Sequence, residues 1–365
     1  MDPNMDTNTL LKLLVETESP SHDKAAVDRV GAIMADESRK LGAQVEIEPN
    51  HETGDHVIAR WGGAGKPILF VCHMDTVFPL GTIKSFPYRE AEGKIMGPGV
   101  SDMKASLVIS LAAIEESINE GLSRPITLLC TSDEEIGSVT SRGLIQNLAK
   151  ESELVFVMEP GLVSGALKTW RKGGGGFHLK VKGRAAHAGG DHEKGRNAIE
   201  EMAHQILAIQ KMTDYSKKTT LNVGVIQGGT VSNVVPEECS VEVDFRVLQP
   251  DEGERIETLI KNLKPALDGT TLEVTGGLNR GPMPFNDMMQ ATFGKAKTIA
   301  AGIGLDLTAG GTGGMSDANL IAPLGIPVLD GLGAIGEGYH SDREYIFAGS
   351  IPQRVKLIST LLKSW

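Results

Sequence analysis

Residues 66–75 read KPILFVCHMD. After Lys66 and Pro67 the side chains from Ile68 to Cys72 are all apolar, so a strand here has no solvent face and belongs in the middle of a sheet covered on both sides. The run does not stop in turn residues. It stops in His73 and Asp75, two apart and therefore on one face of a strand. Two similar runs follow, PITLLCTSDEE (125–135) and ELVFVMEP (153–160). Between them lie amphipathic stretches of helical period, KASLVISLAAIEESINEG (104–121) and SRGLIQNLAK (141–150). Buried strands alternating with helices predict an α/β fold, a mostly parallel sheet flanked by helices, whose ligands gather at the carboxyl ends of the strands. Each predicted strand ends there in chemistry: His73 and Asp75, then Asp133 to Glu135, then Glu159.

From about residue 172 the pattern changes. GFHLKVKG (176–183), TTLNVGVIQGG (219–229), CSVEVDFRVL (239–248) and TTLEVTGG (270–277) alternate as half-exposed strands. NAIEEMAHQILAIQKM (197–212) and DEGERIETLIKNLKPALDG (251–269) have helical period. The order is βαββαβ, that of a ferredoxin-like module. The domains expected are therefore 1–171 and 280–365, two parts of one α/β domain, with 172–279 inserted between them. GGAGK (62–66) and GGGG (173–176) lack the spacing of a phosphate-binding loop and read as turns.

The chain has 365 residues, enough for more than one core, and 40% hydrophobic residues to fill them. A net charge of −11 without a basic run argues against nucleic acid and anionic membranes as partners. No apolar run approaches the ~20 residues of a membrane span. The acidic N-terminal stretch MDPNMDTNTLLKLLVETES has no leader pattern, and the dispersed Cys72, Cys130 and Cys239 read as buried thiols in a reducing compartment. A cytoplasmic protein is expected.

Glu134 and Glu135 are adjacent carboxylates at a sheet edge, an arrangement that costs too much unless a cation faces them. Asp102 in GPGVSDMKAS, Glu159, and His340 in GEGYHSD add to a set of imidazoles and carboxylates suited to catalytic zinc, with one carboxylate able to bridge two ions. Taken singly, His73 with Asp75 also reads as a structural pair, Asp102 as a helix N-cap and His187 as an exposed loop histidine.

Taken together, HMDTVFP, GPGVSDMKAS, TSDEEIGS, MEPG, GRAAHAGG, VSNVVPEE, VDFRVL and GYHSDREYI resemble, in order and spacing, the M20 family of dizinc metallopeptidases, most closely its glutamate carboxypeptidase branch. The resemblance implies that Asp102 bridges two Zn2+ ions, that His73 and Glu159 complete one site, and that Glu135 and His340 complete the other. Mn2+ or Co2+ would also suit so oxygen-rich a set. It implies Asp75 as the group orienting His73, Glu134 as general base toward a water shared by the metals, and a cis peptide bond after Asp102. The inserted module is implied to be a lid and a dimerisation domain forming a homodimer. Its His187 would steady the oxyanion in the partner's site, while Asn233 and Arg246 would orient the substrate and grip its carboxylate. Gly314, in TGGMSDA, would contact substrate. Glutamate-releasing relatives carry a further arginine in a pattern like RGRP; this chain reads NRGPMPFN, with Pro282 at that place and Arg280 two residues earlier.

The activity implied is release of a C-terminal amino acid from a small peptide or N-acyl amino acid. A dipeptidase for β- or γ-linked acidic dipeptides is the alternative within the same chemistry. A non-catalytic binding protein on this fold is the alternative outside it, and retention of Glu134 speaks against that. The M28 aminopeptidases have a similar order of ligands, but the insert between Glu159 and His340 sets this chain apart from them.

Overall fold

The computed structural model describes residues 6–121 and 124–365. The first five residues of the acidic N-terminal stretch lie outside the described residues. The chain forms two compact units, one comprising the residues through Trp170 with Phe285–Thr312 and Ser316–Trp365, the other Arg171–Pro284 with Gly313–Met315.

In chain order the principal strands are β1 (Gln44–Glu48), β2 (His56–Trp61), β3 (Ile68–His73), β4 (Ile126–Thr131), β5 (Leu154–Val157), β6 (Leu167–Arg171), β7 (Gly173–Lys182), β8 (Thr220–Gly228), β9 (Glu238–Val247), β10 (Thr271–Arg280), β11 (Ala309–Thr312) and β12 (Val328–Asp330). Eight of them form one mixed sheet in the order β1-β2-β4-β3-β5-β12-β6-β11. Its centre is parallel: β3 pairs with β4 and β5, and β12 with β5. All six residues of β3 and of β4 are buried, as their unbroken apolar runs require. The helix Ala105–Asn119 is buried nearly all round, because the sheet lies on one side and the C-terminal helix Ser350–Ser364 on the other.

The register explains why chemistry collects at one edge. His73 lies opposite Thr131, and Val71 opposite Val157, so His73 and Glu159 each stand two residues past a paired position and emerge at the same level. The acidic turn at 133–135 leaves β4 beside them.

The second unit is a four-stranded antiparallel sheet in the order β8-β9-β7-β10, with helices Ala198–Gln210 and Pro250–Lys261 in the predicted βαββαβ sequence. Phe177, Leu179, Val181, Val241, Val243 and Phe245 bury one face against these helices. The reading of GGGG as a turn is wrong, for these glycines begin the central strand β7. A Cβ on Gly174 would lie 2.3 Å from the Phe245 carbonyl oxygen on one side, and one on Gly175 would lie 2.0 Å from that of Gly277 on the other. Close approach of both neighbouring strands, not chain reversal, demands glycine there. In AGGTGGMSDAN (309–319) the first four residues form β11. Cys72, Cys130 and Cys239 are free and buried.

Candidate metal centre

His73 ends β3 with a fully enclosed ring. Its Nδ1 lies 3.0 Å from the carbonyl oxygen of Asp75, which can only accept, so Nδ1 carries the proton and Nε2 is left with its lone pair. The Asp75 carboxylate is farther, at 3.5 Å. That carboxylate is spent elsewhere: it accepts from Ser21 Oγ at 2.7 Å and from the backbone N–H groups of Glu134 and Glu135, each at 3.2 Å. Asp75 therefore holds the imidazole through its main chain and holds the acidic turn through its side chain.

Asp102 stands between two imidazoles. Its Oδ1 is 3.1 Å from His73 Nε2, and its Oδ2 is 3.4 Å from His340 Nε2. Glu159 Oε1 is 3.7 Å from His73 Nε2, and Glu135 Oε2 is 3.2 Å from His340 Nε2. The five side chains thus fall into two triads that share Asp102, one oxygen to each. The peptide bond from Asp102 to Met103 is cis. Glu134 stands on the His73 side, with a carboxylate oxygen within 4.8 Å of both His73 and Glu159 ligand atoms.

The electrostatics call for cations. Burial pushes the Glu135 carboxyl up to about 7, against the pull of His340 and with the repulsion of Asp102. Hydrogen bonding to Asp102 and Glu135 raises His340 to about 10. Burial opposes charge on His73, yet Asp102 and Asp75 outweigh it and raise that imidazole well above its ordinary value. Asp102 is held ionised despite burial by His340 and His73. Among the described residues two groups, His73–Asp102–Glu135 and His73–Glu134–Glu159, bring ligand atoms within 4.8 Å of one another, and Glu135 Oε1 is buried with no hydrogen-bond partner among them. The nitrogen and oxygen donors fit zinc-type ions.

The third acid of TSDEEIGS does other work. Asp133 Oδ2 accepts from Thr140 N at 2.7 Å, Thr140 Oγ1 at 2.8 Å and Ser141 N at 3.2 Å, closing the turn behind the two glutamates. Residues given no role from sequence also bear on the centre. Ser21 anchors Asp75, Lys168 Nζ stands 4.0 Å from Glu159 Oε2, and Gly333 N donates to the Glu159 carbonyl at 2.9 Å. Only a fold can bring such residues together, since none lies in a strand-end motif.

In the second unit His187 is exposed, and its Nδ1 accepts from Gly189 N at 3.1 Å and Gly190 N at 3.0 Å. Asn233 is exposed, and its carbonyl accepts from Ala188 N at 3.0 Å, which ties it to the His187 loop. Arg246 lies on the inner strand β9 with its guanidinium on Asp244, at 2.8 Å from Nη2. Arg280 is buried at the end of β10, and the Gly314 carbonyl accepts from Arg171 Nη1 at 3.4 Å.

Residues 169–274 match the peptidase dimerisation domain of M20 enzymes. The chain is 30% identical to carboxypeptidase G2 of Pseudomonas sp. (strain RS-16), over 96% of this chain and 87% of that protein. Its fold is that of aminopeptidase PepT from Bacillus cereus, with TM-score 0.82 and 23% identity over 98% of this chain and 97% of that one. The M20 family metallo-carboxypeptidase Sso-CP2 from Sulfolobus solfataricus superposes with TM-score 0.77 at 18% identity, over 99% of both chains. No helix among the described residues is long and apolar enough to cross a membrane. With the carboxypeptidase relationship extending over nearly its whole length, this chain belongs to the M20 family of metallopeptidases, as a hydrolase similar to carboxypeptidase G2.

Proposed function

We propose that the protein is a dinuclear metallo-carboxypeptidase that releases a C-terminal amino acid from a small peptide or an N-acyl amino acid. The observation that carries this reading is the sharing of Asp102 between two imidazole–carboxylate triads. His73 and Glu159 would hold one ion, His340 and Glu135 the other, and Asp102 both. Bound there, two divalent cations such as Zn2+ would polarise the scissile carbonyl and make water a nucleophile near neutral pH.

The chain's own groups do the rest. Glu134 is the general base, taking a proton from the attacking water and passing it to the leaving amine. Asp75 keeps His73 in the tautomer that presents Nε2. Carboxypeptidase G2 and Sso-CP2 are both named as carboxypeptidases, which supports a substrate with a free C-terminal carboxylate. Arg246 is the proposed clamp for it, because a planar guanidinium meets a carboxylate with two parallel hydrogen bonds. Asn233, Arg280 and Gly314 are assigned to substrate contacts. The dimerisation-domain match supports a homodimer, in which His187 would stabilise the oxyanion of the partner's reaction.

A hydrolysis screen with Zn2+-, Mn2+- and Co2+-loaded enzyme tests the reading. It should cover folyl-glutamates, N-acyl amino acids, and α-, β- and γ-linked dipeptides ending in Glu, Asp, Arg, Lys or aromatic residues. Release of the C-terminal amino acid from at least one class, blocked by amidation of its carboxyl group, is expected. Turnover indifferent to amidation would overturn the carboxypeptidase assignment. For the trans role, mixing inactive His187→Ala and Glu134→Ala protomers should restore part of the activity, and no recovery from proven heterodimers would count against it.

A further inference from the structure

Glu344 is a carboxylate with no solvent exposure, four residues after His340. Neither of its oxygens faces the metal triads. Oε1 accepts from the backbone N–H of Ser101 at 2.7 Å and of Asp102 at 3.0 Å, and Oε2 accepts from Gly99 N at 3.1 Å. All three donors belong to the turn that carries Asp102. Peptide N–H groups can only donate and the two carboxylate oxygens have lone pairs for all three, so every donor is met.

Both partners in this contact are stiff. In the Asp102 turn Gly99 has φ of 70°, and a Cβ there would come within 2.5 Å of Thr76 Cγ2, so the turn is packed against the chain just after β3. In the His340 loop Ser341 N donates to the Gly338 carbonyl at 3.1 Å and Glu344 N to that of Ser341 at 3.2 Å. A Cβ on Gly338 would lie 2.4 Å from the Arg343 carbonyl oxygen. One short loop therefore takes hold of Asp102 at both ends, its main-chain N–H through Glu344 and its Oδ2 through His340.

We propose that Glu344 is a positioning residue, which sets the shared carboxylate of Asp102 at its distance from His340 and so fixes the spacing of the two metal positions. The proposal rests on the dinuclear reading above. Glu344 touches neither substrate nor ion; it acts on the reaction only through Asp102. Glu344→Gln is the sharp variant, because it keeps shape and one acceptor but turns an NH2 group toward a backbone donor.

The experiment measures metal affinity by chelator competition and the visible spectrum of the Co2+-loaded protein, with kcat and KM in parallel. Wild type, Glu344→Gln, Glu344→Asp and the exposed neighbour Arg343→Ala would be compared. For Glu344→Gln the expected result is a ~10–100-fold loss of affinity for one of the two ions. An altered Co2+ spectrum, a fall in kcat and an unchanged KM should accompany it. Glu344→Asp should recover part of the affinity, and Arg343→Ala should match wild type. If wild type binds two ions and Glu344→Gln binds them with the same affinity and spectrum, the positioning role is wrong while the dinuclear reading stands. If wild type binds no metal, both fall. Unfolding of the metal-free Gln and Asp variants alike, seen by circular dichroism, would also overturn it, in favour of a purely structural role.

Discussion

Buried acids occur in two regions of this molecule, and their surroundings differ. In the antiparallel module each has its own local partners. Hydrogen bonding to Arg255, with Lys217 and Thr219, brings Glu252 down to about 2. Glu201 is lowered despite burial because Gln205 and the N–H groups of Ala266 and Leu267 donate to it. At the carboxyl edge of the parallel sheet, acids face one another and share imidazoles, and burial raises Glu135 to about 7. Satisfied acids build structure, whereas acids crowded on one another around shared imidazoles mark a place where cations belong.

The largest effect expected at the edge is chemical. Glu134→Ala should lower kcat about 10²–10⁴-fold, the range for a general base, while metal content measured by atomic absorption stays at the wild-type level. Near-normal turnover in that variant would break the assignment of separate tasks to adjacent glutamates. Next in size is removal of the metals. Ions that bind only the folded state at about 1,000 times Kd add ~4 kcal/mol of stability, so chelation should lower the Tm of wild type, and much less that of an Asp102→Ala variant. Equal shifts in the two proteins would mean that the stabilising ions sit elsewhere.

The module offers a steric counterpart with no charge involved. Gly175→Ala sets a Cβ against the Gly277 carbonyl oxygen in the middle of the sheet. A loss of ~2–3 kcal/mol, read as a lower midpoint in urea, is expected from such backbone strain. An unchanged midpoint would show that β10 can withdraw from β7 at little cost.

These regions were unequally legible in the sequence. Strand ends announce themselves, so His73, Glu134, Glu135 and Glu159 stood out as candidates from the strands, whereas Asp102 and His340, in a turn and a loop, were named only from their motifs. The βαββαβ succession could be read from periodicity, and the dimerisation-domain match falls on the same stretch. Glu344 was quoted within a motif yet given no role, because its task depends on N–H groups 242–245 residues away. Ser21 and Lys168 escaped for the same reason. The four glycines misled because composition marks a need for small residues without saying whether the chain turns or its neighbours crowd it. Asp75 shows a finer limit: sequence pointed to its carboxylate as the group orienting His73, and the shorter contact is its carbonyl.

The smallest effect concerns Glu252, and it tests the comparison from the side where nothing catalytic is at stake. Its side chain is buried, but Arg255 and Lys217 are about a third and a half exposed, so solvent screens part of their attraction. Replacing it with Gln should cost about 1–2 kcal/mol at pH 7, below the figure for a fully buried pair. The sign of the pH dependence follows from the direction of the shift. A carboxyl at about 2 in the folded chain and 4.5 by its ordinary value binds its proton more readily once unfolded. The stability it contributes is therefore complete above pH 4.5 and fades as pH falls toward 2. Denaturation of the separately monitored module should show wild type and Glu252→Gln far apart at pH 7 and converging below pH 4. A gap that stayed constant across that range would mean that Glu252 acts by packing rather than charge, and the contrast between the two kinds of buried acid would lose its electrostatic basis.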